Sequence, residues 1–158
     1  MKKYQIEIKW GVIFFVLMVI WTYLEKLLGW HNEHIDKQAL YTNFFGFIAI
    51  VVYFLAIRDK KQTIFHGKMS WKQGFVSGII LSVVIALLSP LHQVIAHKLI
   101  SPDFFNNIID YNVDAERMSQ EDAEAFFNLN SYIVQGISNA LTMGVITSAL
   151  VALVLKRK

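Results

Sequence analysis

The chain has 158 residues, 55% hydrophobic and only 17% charged, with a mean hydropathy of +0.43 and a formal net charge of +3. Soluble domains carry roughly 25% charged residues, so a water-solvated globule is excluded, and the same apolar excess excludes disorder. The basic residues are not gathered on one polar element, which argues against a nucleic-acid partner, and the absence of Cys removes disulfides, thiolate metal sites and redox switches.

A membrane-spanning helix needs about 20 apolar residues, and the chain holds four such runs: 10–28, 40–57, 74–96 and 133–155. They predict an all-α, four-span membrane domain over 1–158. The first run follows Lys2, Lys3 and Lys9 like a signal peptide. It is longer and more aromatic than a signal core and lacks a small-residue cleavage site, so it reads as a retained helix. Asp36 stands where it could cap the second span. The third opens on Ser70-Trp71-Lys72-Gln73, a Ser-x-x-Gln capping box with an interfacial Trp. The fourth stops at Lys156-Arg157-Lys158. No run alternates polar and apolar residues as a barrel strand does.

Threading the spans puts Lys2, Lys3, Lys9, Arg58, Lys60, Lys61, Lys68, Lys72, Lys156, Arg157 and Lys158 on one side. Only Lys26, Lys37, Lys98 and Arg117 are left on the other. Lys/Arg asymmetry of this kind marks the cytoplasmic face, so both termini are expected there. Of the acids, only Glu7 and Asp59 fall on the basic side. Trp30, Tyr41 and Tyr132 read as an outer aromatic belt, and Trp10, Tyr53 and Trp71 as an inner one.

The long connection between spans three and four, with an insert at 101–132, carries two helix starts. Ser101-Pro102-Asp103 places Ser at the cap and Pro at the first helical position, ahead of Phe104, Phe105, Ile108, Ile109 and Asn112 on one face. Ser119 caps a second helix, with Ala123, Phe126, Phe127 and Asn130 on one face, read as continuing into span four. Both are expected at the outer interface with their four Phe residues shielded from water. Seven acids in this stretch form either a solvated face or a docking surface for a basic partner. The five basic residues between spans two and three serve topology, or anionic head groups as well.

The centres of the spans hold no Asp, Glu, Lys or Arg, which counts against a monomeric proton-coupled transporter and an intramembrane protease. His31, His34, His92 and His97, with Glu33 and Asp36, are the only candidate metal group. Zinc would need three or four of them to converge, and His92 and His97, five apart, do not share a face of a regular helix. No cofactor motif occurs. Pro90 leaves the carbonyl of Ala86 without its donor and predicts a kink, with Ser89, His92 and Gln93 around it.

Small residues recur every four positions on two spans: Gly74, Gly78, Ser82 and Ala86 on the third, and Gly136, Ala140, Gly144, Ser148 and Ala152 on the fourth. Lipid is as apolar as Leu, so close backbone approach selects the partner helix, and these stripes predict antiparallel packing of spans three and four. That register sets Gly78 near 148–152, Ser82 near 144–148 and Ala86 near 140–144. It also brings Ser89, His92 and Gln93 level with Gln135, Ser138 and Asn139.

Several runs carry a further likeness: Ile6-Glu7-Ile8-Lys9-Trp10-Gly11, Leu24-Glu25-Lys26, and Glu33-His34-Ile35-Asp36-Lys37 leading to Tyr41-Thr42-Asn43-Phe44-Phe45. With them stand Lys72-Gln73-Gly74-Phe75, Gly78, Ser89-Pro90, the acidic helix at 118–127 and Gly144-Val145-Ile146-Thr147-Ser148-Ala149. In order and spacing, over essentially the whole chain, they resemble domain-of-unknown-function family 4199. That resemblance implies a small four-span protein of a bacterial inner membrane and supplies no activity, substrate or catalytic residue. Three readings stay open. The first is a non-enzymatic accessory protein, partnered by the bilayer and by another membrane protein or a second copy. The second is a small oligomeric transporter or channel, with a route past Ser89, Gln93, Gln135 and Asn139. The third is an outer-face metal-dependent enzyme or sensor.

Overall fold

The computed structural model describes residues 4–156. Lys2, Lys3, Arg157 and Lys158, which contribute to the charge asymmetry, lie outside them. The chain forms α1 (Gln5–Leu27), a 3-10 turn (Ile35–Lys37), α2 (Gln38–Thr42), α3 (Phe45–Thr63) and α4 (Trp71–Val94). A π-helical turn (Ile95–Ile100) follows, then α5 (Phe104–Asp114), α6 (Gln120–Phe126) and α7 (Leu129–Leu155). There is no β-strand among the described residues, and four helical stretches are long and apolar enough to cross a membrane. They expose Val16, Phe47, Leu87, Leu150 and Val154 outward, side chains that hydrocarbon solvates and water does not.

The most extensive contact in the bundle is between α4 and α7, which run antiparallel, and α1 and α3 close the other side. Gly74 lies against Ala152, Gly78 against Ser148, Ser82 against Gly144 and Ser89 against Gly136. The first three pairs advance by about one helical turn along α4 and retreat by one along α7, and the fourth lies about two turns further on. A β-carbon added at Gly78 or Gly144 would collide with the facing serine. The freed hydroxyls turn back onto their own helices, Ser82 Oγ donating to Gly78 O at 2.8 Å and Ser148 Oγ to Gly144 O at 2.5 Å. Tyr53 donates in turn to Ser82 Oγ at 2.8 Å, so this tyrosine belongs to the buried seam and not to an interfacial belt. Its neighbours Phe14, Val52, Ile57, Leu81, Ile85 and Val151 form the main core.

These distances select a crosslinking pair in a chain with no native Cys. A disulfide needs β-carbons about 3.5–4.5 Å apart. A β-carbon at residue 144 stands only 2.7 Å from that of Ser82, whereas one at residue 74 stands 3.1 Å from that of Ala152. Oxidised membranes should therefore link a Gly74→Cys/Ala152→Cys protein faster than a Ser82→Cys/Gly144→Cys protein. A faster second pair would show that the seam is looser than described.

The ends of the elements show which capping readings hold. Ser70 and Gln73 make both bonds of the capping box on α4, and Ser119 caps α6 through Asp122 N. Asp36 caps nothing. It sits within the 3-10 turn, and neither α2 nor α3 has a side-chain cap. Ser101 does not cap α5 either, because its hydroxyl is taken by His31 and the helix starts two residues later behind Asp103. The second outer helix does not run into span four. It ends at Phe126, and Asn128 opens α7 by accepting from Ser131 N at 2.9 Å. α4 continues through Pro90.

At the end bearing both termini, Glu7 is 1% exposed and pairs with Lys60 Nζ at 2.9 Å, and Ser77 Oγ donates to it at 2.7 Å. Lys9 pairs with Asp59, which also accepts from Trp10 Nε1 at 2.9 Å. At the far end, α5 folds Phe104 and Ile108 onto the bundle beside Ile35 and Tyr132, and the seven acids of 101–132 stay exposed. Phe105 and Phe127 are half-buried, but Phe126 is 48% exposed. Phe126 is therefore not packed on the bundle, because α6 buries Ala123 as its contact residue instead.

Candidate functional site

The far end of the bundle encloses a cavity of about 170 Å³ between α1, α2, the start of α3, the end of α4, α5 and the start of α7. Three local devices build it. First, α1 ends in a glycine turn: Gly29 takes φ +76° and Trp30 N bonds back to Glu25 O at 3.0 Å. Only a residue without a β-carbon enters that conformation at no steric cost. The reversal carries His31 back over the end of α1. There His31 Nδ1 lies 2.7 Å from Ser101 Oγ, and Asn107 Nδ2 donates to His31 O at 2.9 Å.

Second, α4 widens into a π-helical turn at Ile95–Ile100. Bonding five residues apart changes the angle between successive side chains. His92 and His97, which a regular helix would point apart, line the same cavity. Third, the aromatic walls are tightly set. The His97 ring lies 4.4 Å from Phe105 and 4.9 Å from Phe104, and Tyr132 closes edge-on at 5.3 Å.

The polar lining centres on Glu25, which is 4% exposed. Its Oε1 accepts from Trp21 Nε1 at 2.9 Å and from Thr42, which itself accepts from Gln38 at 2.9 Å. Its Oε2 has His31 Nε2 at 3.4 Å. One turn earlier, Thr22 Oγ1 meets His92 Nε2 at 3.0 Å, and His97 Nε2 meets Gln93 Oε1 at 3.1 Å. The Nδ1 atoms of His92 and His97 are buried without a hydrogen-bond partner.

Three of the four sequence-selected histidines, His31, His92 and His97, thus line one cavity, while His34, Glu33 and Asp36 stay exposed. Among the described residues, no group of three or more His, Asp or Glu is placed to hold a metal ion. Glu25, Thr22, Gln38 and Thr42 escaped the sequence reading. Their signal was the Thr22–Glu25 spacing, which stacks a hydroxyl and a carboxylate on one face of the last turns of α1.

The polar cluster expected beside Pro90 does not assemble. Ser89 Oγ has no partner, and no hydrogen bond joins Ser89, His92 or Gln93 to Gln135, Ser138 or Asn139. Gly136 occupies that depth of the seam. Ser138 lies about 200° further round α7, and both Ser138 and Asn139 are exposed, with Gln135 half-buried. Of the residues proposed to line a route across the membrane, only Gln93 reaches the cavity. A wider cavity of about 400 Å³ at the terminal end is lined by Glu7, Lys60 and Ser77, whose charges are paired.

Comparison with known proteins places the whole chain. Residues 9–157 match the profile of "Protein of unknown function (DUF4199)". The chain belongs to this family. No curated protein and no solved structure matches it. As a DUF4199 protein it inherits a family without an assigned activity, so the cavity has to be read from its own chemistry.

Proposed function

We propose that this DUF4199 protein is a non-enzymatic accessory protein of the bacterial inner membrane, with both termini cytoplasmic, that receives a small polar ligand in its outer cavity. One observation carries the reading. A carboxylate and three imidazoles, two of them with a buried and unpartnered ring nitrogen, line one cavity at the end of the bundle. Burying a polar group without a partner costs about 1–3 kcal/mol, so such a lining is destabilising unless something fills it. The hydroxyl and imidazole chemistry supports binding rather than nucleophilic catalysis. Thr22 donates to Met18 O at 3.0 Å and so accepts from His92, the reverse of a hydroxyl activated by a base. The Lys/Arg asymmetry supports the orientation.

Orientation and access are tested together. A reporter active only in the cytoplasm should work when fused after Lys158 or within 62–68 and stay silent within 113–119; activity at 113 reverses the topology. A single Cys at Gln38, on the cavity wall, should react with a membrane-impermeant thiol reagent added to intact cells. Filling the cavity should slow that reaction. A Cys there that is inert in intact cells but reactive in inverted vesicles would sink the reading.

A further inference from the structure

Two of the imidazoles at the cavity keep an unused acceptor nitrogen. Thr22 Oγ1 spends its proton on Met18 O, so the proton shared with His92 sits on His92 Nε2. Gln93 Oε1 is an amide oxygen with no proton to give, so the proton in its bond to His97 sits on His97 Nε2. In each neutral ring Nδ1 then carries a lone pair, and both Nδ1 atoms are buried and unpartnered. The third acceptor is the Glu25 carboxylate. Among the described residues, no Lys or Arg lines the cavity. The approach of His31 Nε2, at 3.4 Å, is longer than the roughly 2.7–2.9 Å of a charge-assisted bond. The lining thus holds a carboxylate with no fixed cation beside it, two imidazoles with an unused lone pair, and neutral donors on Gln93 and Tyr132; a cation is what answers the carboxylate.

We propose that the cavity binds a small organic ammonium ion, with Glu25 as its counter-charge. This deepens the ligand-binding reading above and rests on it. A primary ammonium brings the positive charge that the carboxylate lacks, together with N–H donors for its oxygens. Trp21, Phe45, Phe104 and Tyr132 line the same space, and aromatic rings attract cations. The volume sets the size. An engineered apolar cavity of about 150 Å³ holds benzene, so 170 Å³ admits roughly six to eight non-hydrogen atoms. A bare metal ion fits less well, because the described side chains do not form a ligating group.

The test compares n-pentylammonium, n-pentanol and pentanoate on the unmodified protein in lipid nanodiscs, read by thermal melting. Emission from a variant retaining Trp21 alone gives a second readout, because the Trp21 indole is bonded to Glu25. Hydrogen bonds to charged groups bring about 1.5–3 kcal/mol, so the ammonium should bind roughly 10–100 times tighter than the alcohol. Pentanoate should not compete, and Glu25→Gln should remove most of the preference. The selectivity of the unmodified protein decides the matter even if that variant folds poorly. Equal binding of alcohol and ammonium, or tighter binding of pentanoate, overturns the cation assignment and leaves the ligand-binding reading standing. No saturable response to any of the three overturns both.

Discussion

Gly144→Leu should unfold the bundle at its tightest seam, losing more than about 3 kcal/mol. A β-carbon at this position lies 2.7 Å from Ser82 Cβ and from Tyr53 Oη. Neither is the end of a flexible chain. Ser82 is short and bonded to Gly78 O, and Tyr53 is held by Ser82, so α7 itself has to move away from α4. The three further carbons of Leu have no space to enter. Gly46 is the internal control, since a β-carbon there meets nothing within 4 Å. Gly46→Leu should be neutral, or stabilising by up to ~0.8 kcal/mol through helix propensity. Melting in mild detergent, followed by the fraction that stays monodisperse after heating, separates the two. Equal melting of Gly144→Leu and Gly46→Leu would remove the seam as the organising contact.

The second large effect lies at the opposite end. Lys60→Met strands the Glu7 carboxylate, 1% exposed, without its cation. Breaking a buried pair from one side costs about 3–5 kcal/mol, whereas replacing both partners is often neutral. A Glu7→Gln/Lys60→Met double variant should therefore melt well above Lys60→Met alone. Gln at position 7 keeps an oxygen for the Ser77 hydroxyl, which now donates to Glu7 at 2.7 Å. If the two substitutions simply add, the pair is not coupled and its ion-pair character has no bearing on stability. The effect lies far from the outer cavity, so the double variant also provides a background in which loss of fold and loss of ligand binding can be told apart.

How much of this protein is written in its residues one by one depends on the range of the interaction. The four long helices follow from apolar runs of spanning length, because a backbone in hydrocarbon must satisfy its hydrogen bonds within itself. The Ser70–Gln73 box and the Ser119 cap are contacts within a single turn, and the sequence alone determines them. The small-residue stripes on α4 and α7 are equally local in origin, since a four-residue repeat of Gly, Ala and Ser draws a smooth face on any helix.

What spans the bundle was decided only by tertiary structure. Ser101 looks like a cap until His31, seventy residues earlier, claims its hydroxyl. Tyr53 looks like a belt residue until Ser82 draws its ring into the seam. Glu25 looks like an interfacial charge beside Lys26. It becomes the centre of a buried site because the Gly29 turn and the π-helical turn bring His31, His92 and His97 around it. No propensity or periodicity encodes those approaches. A few ångströms of backbone path, set by one left-handed glycine and one widened helical turn, decide which polar groups meet, and hydrogen bonds and charge act only between groups that do.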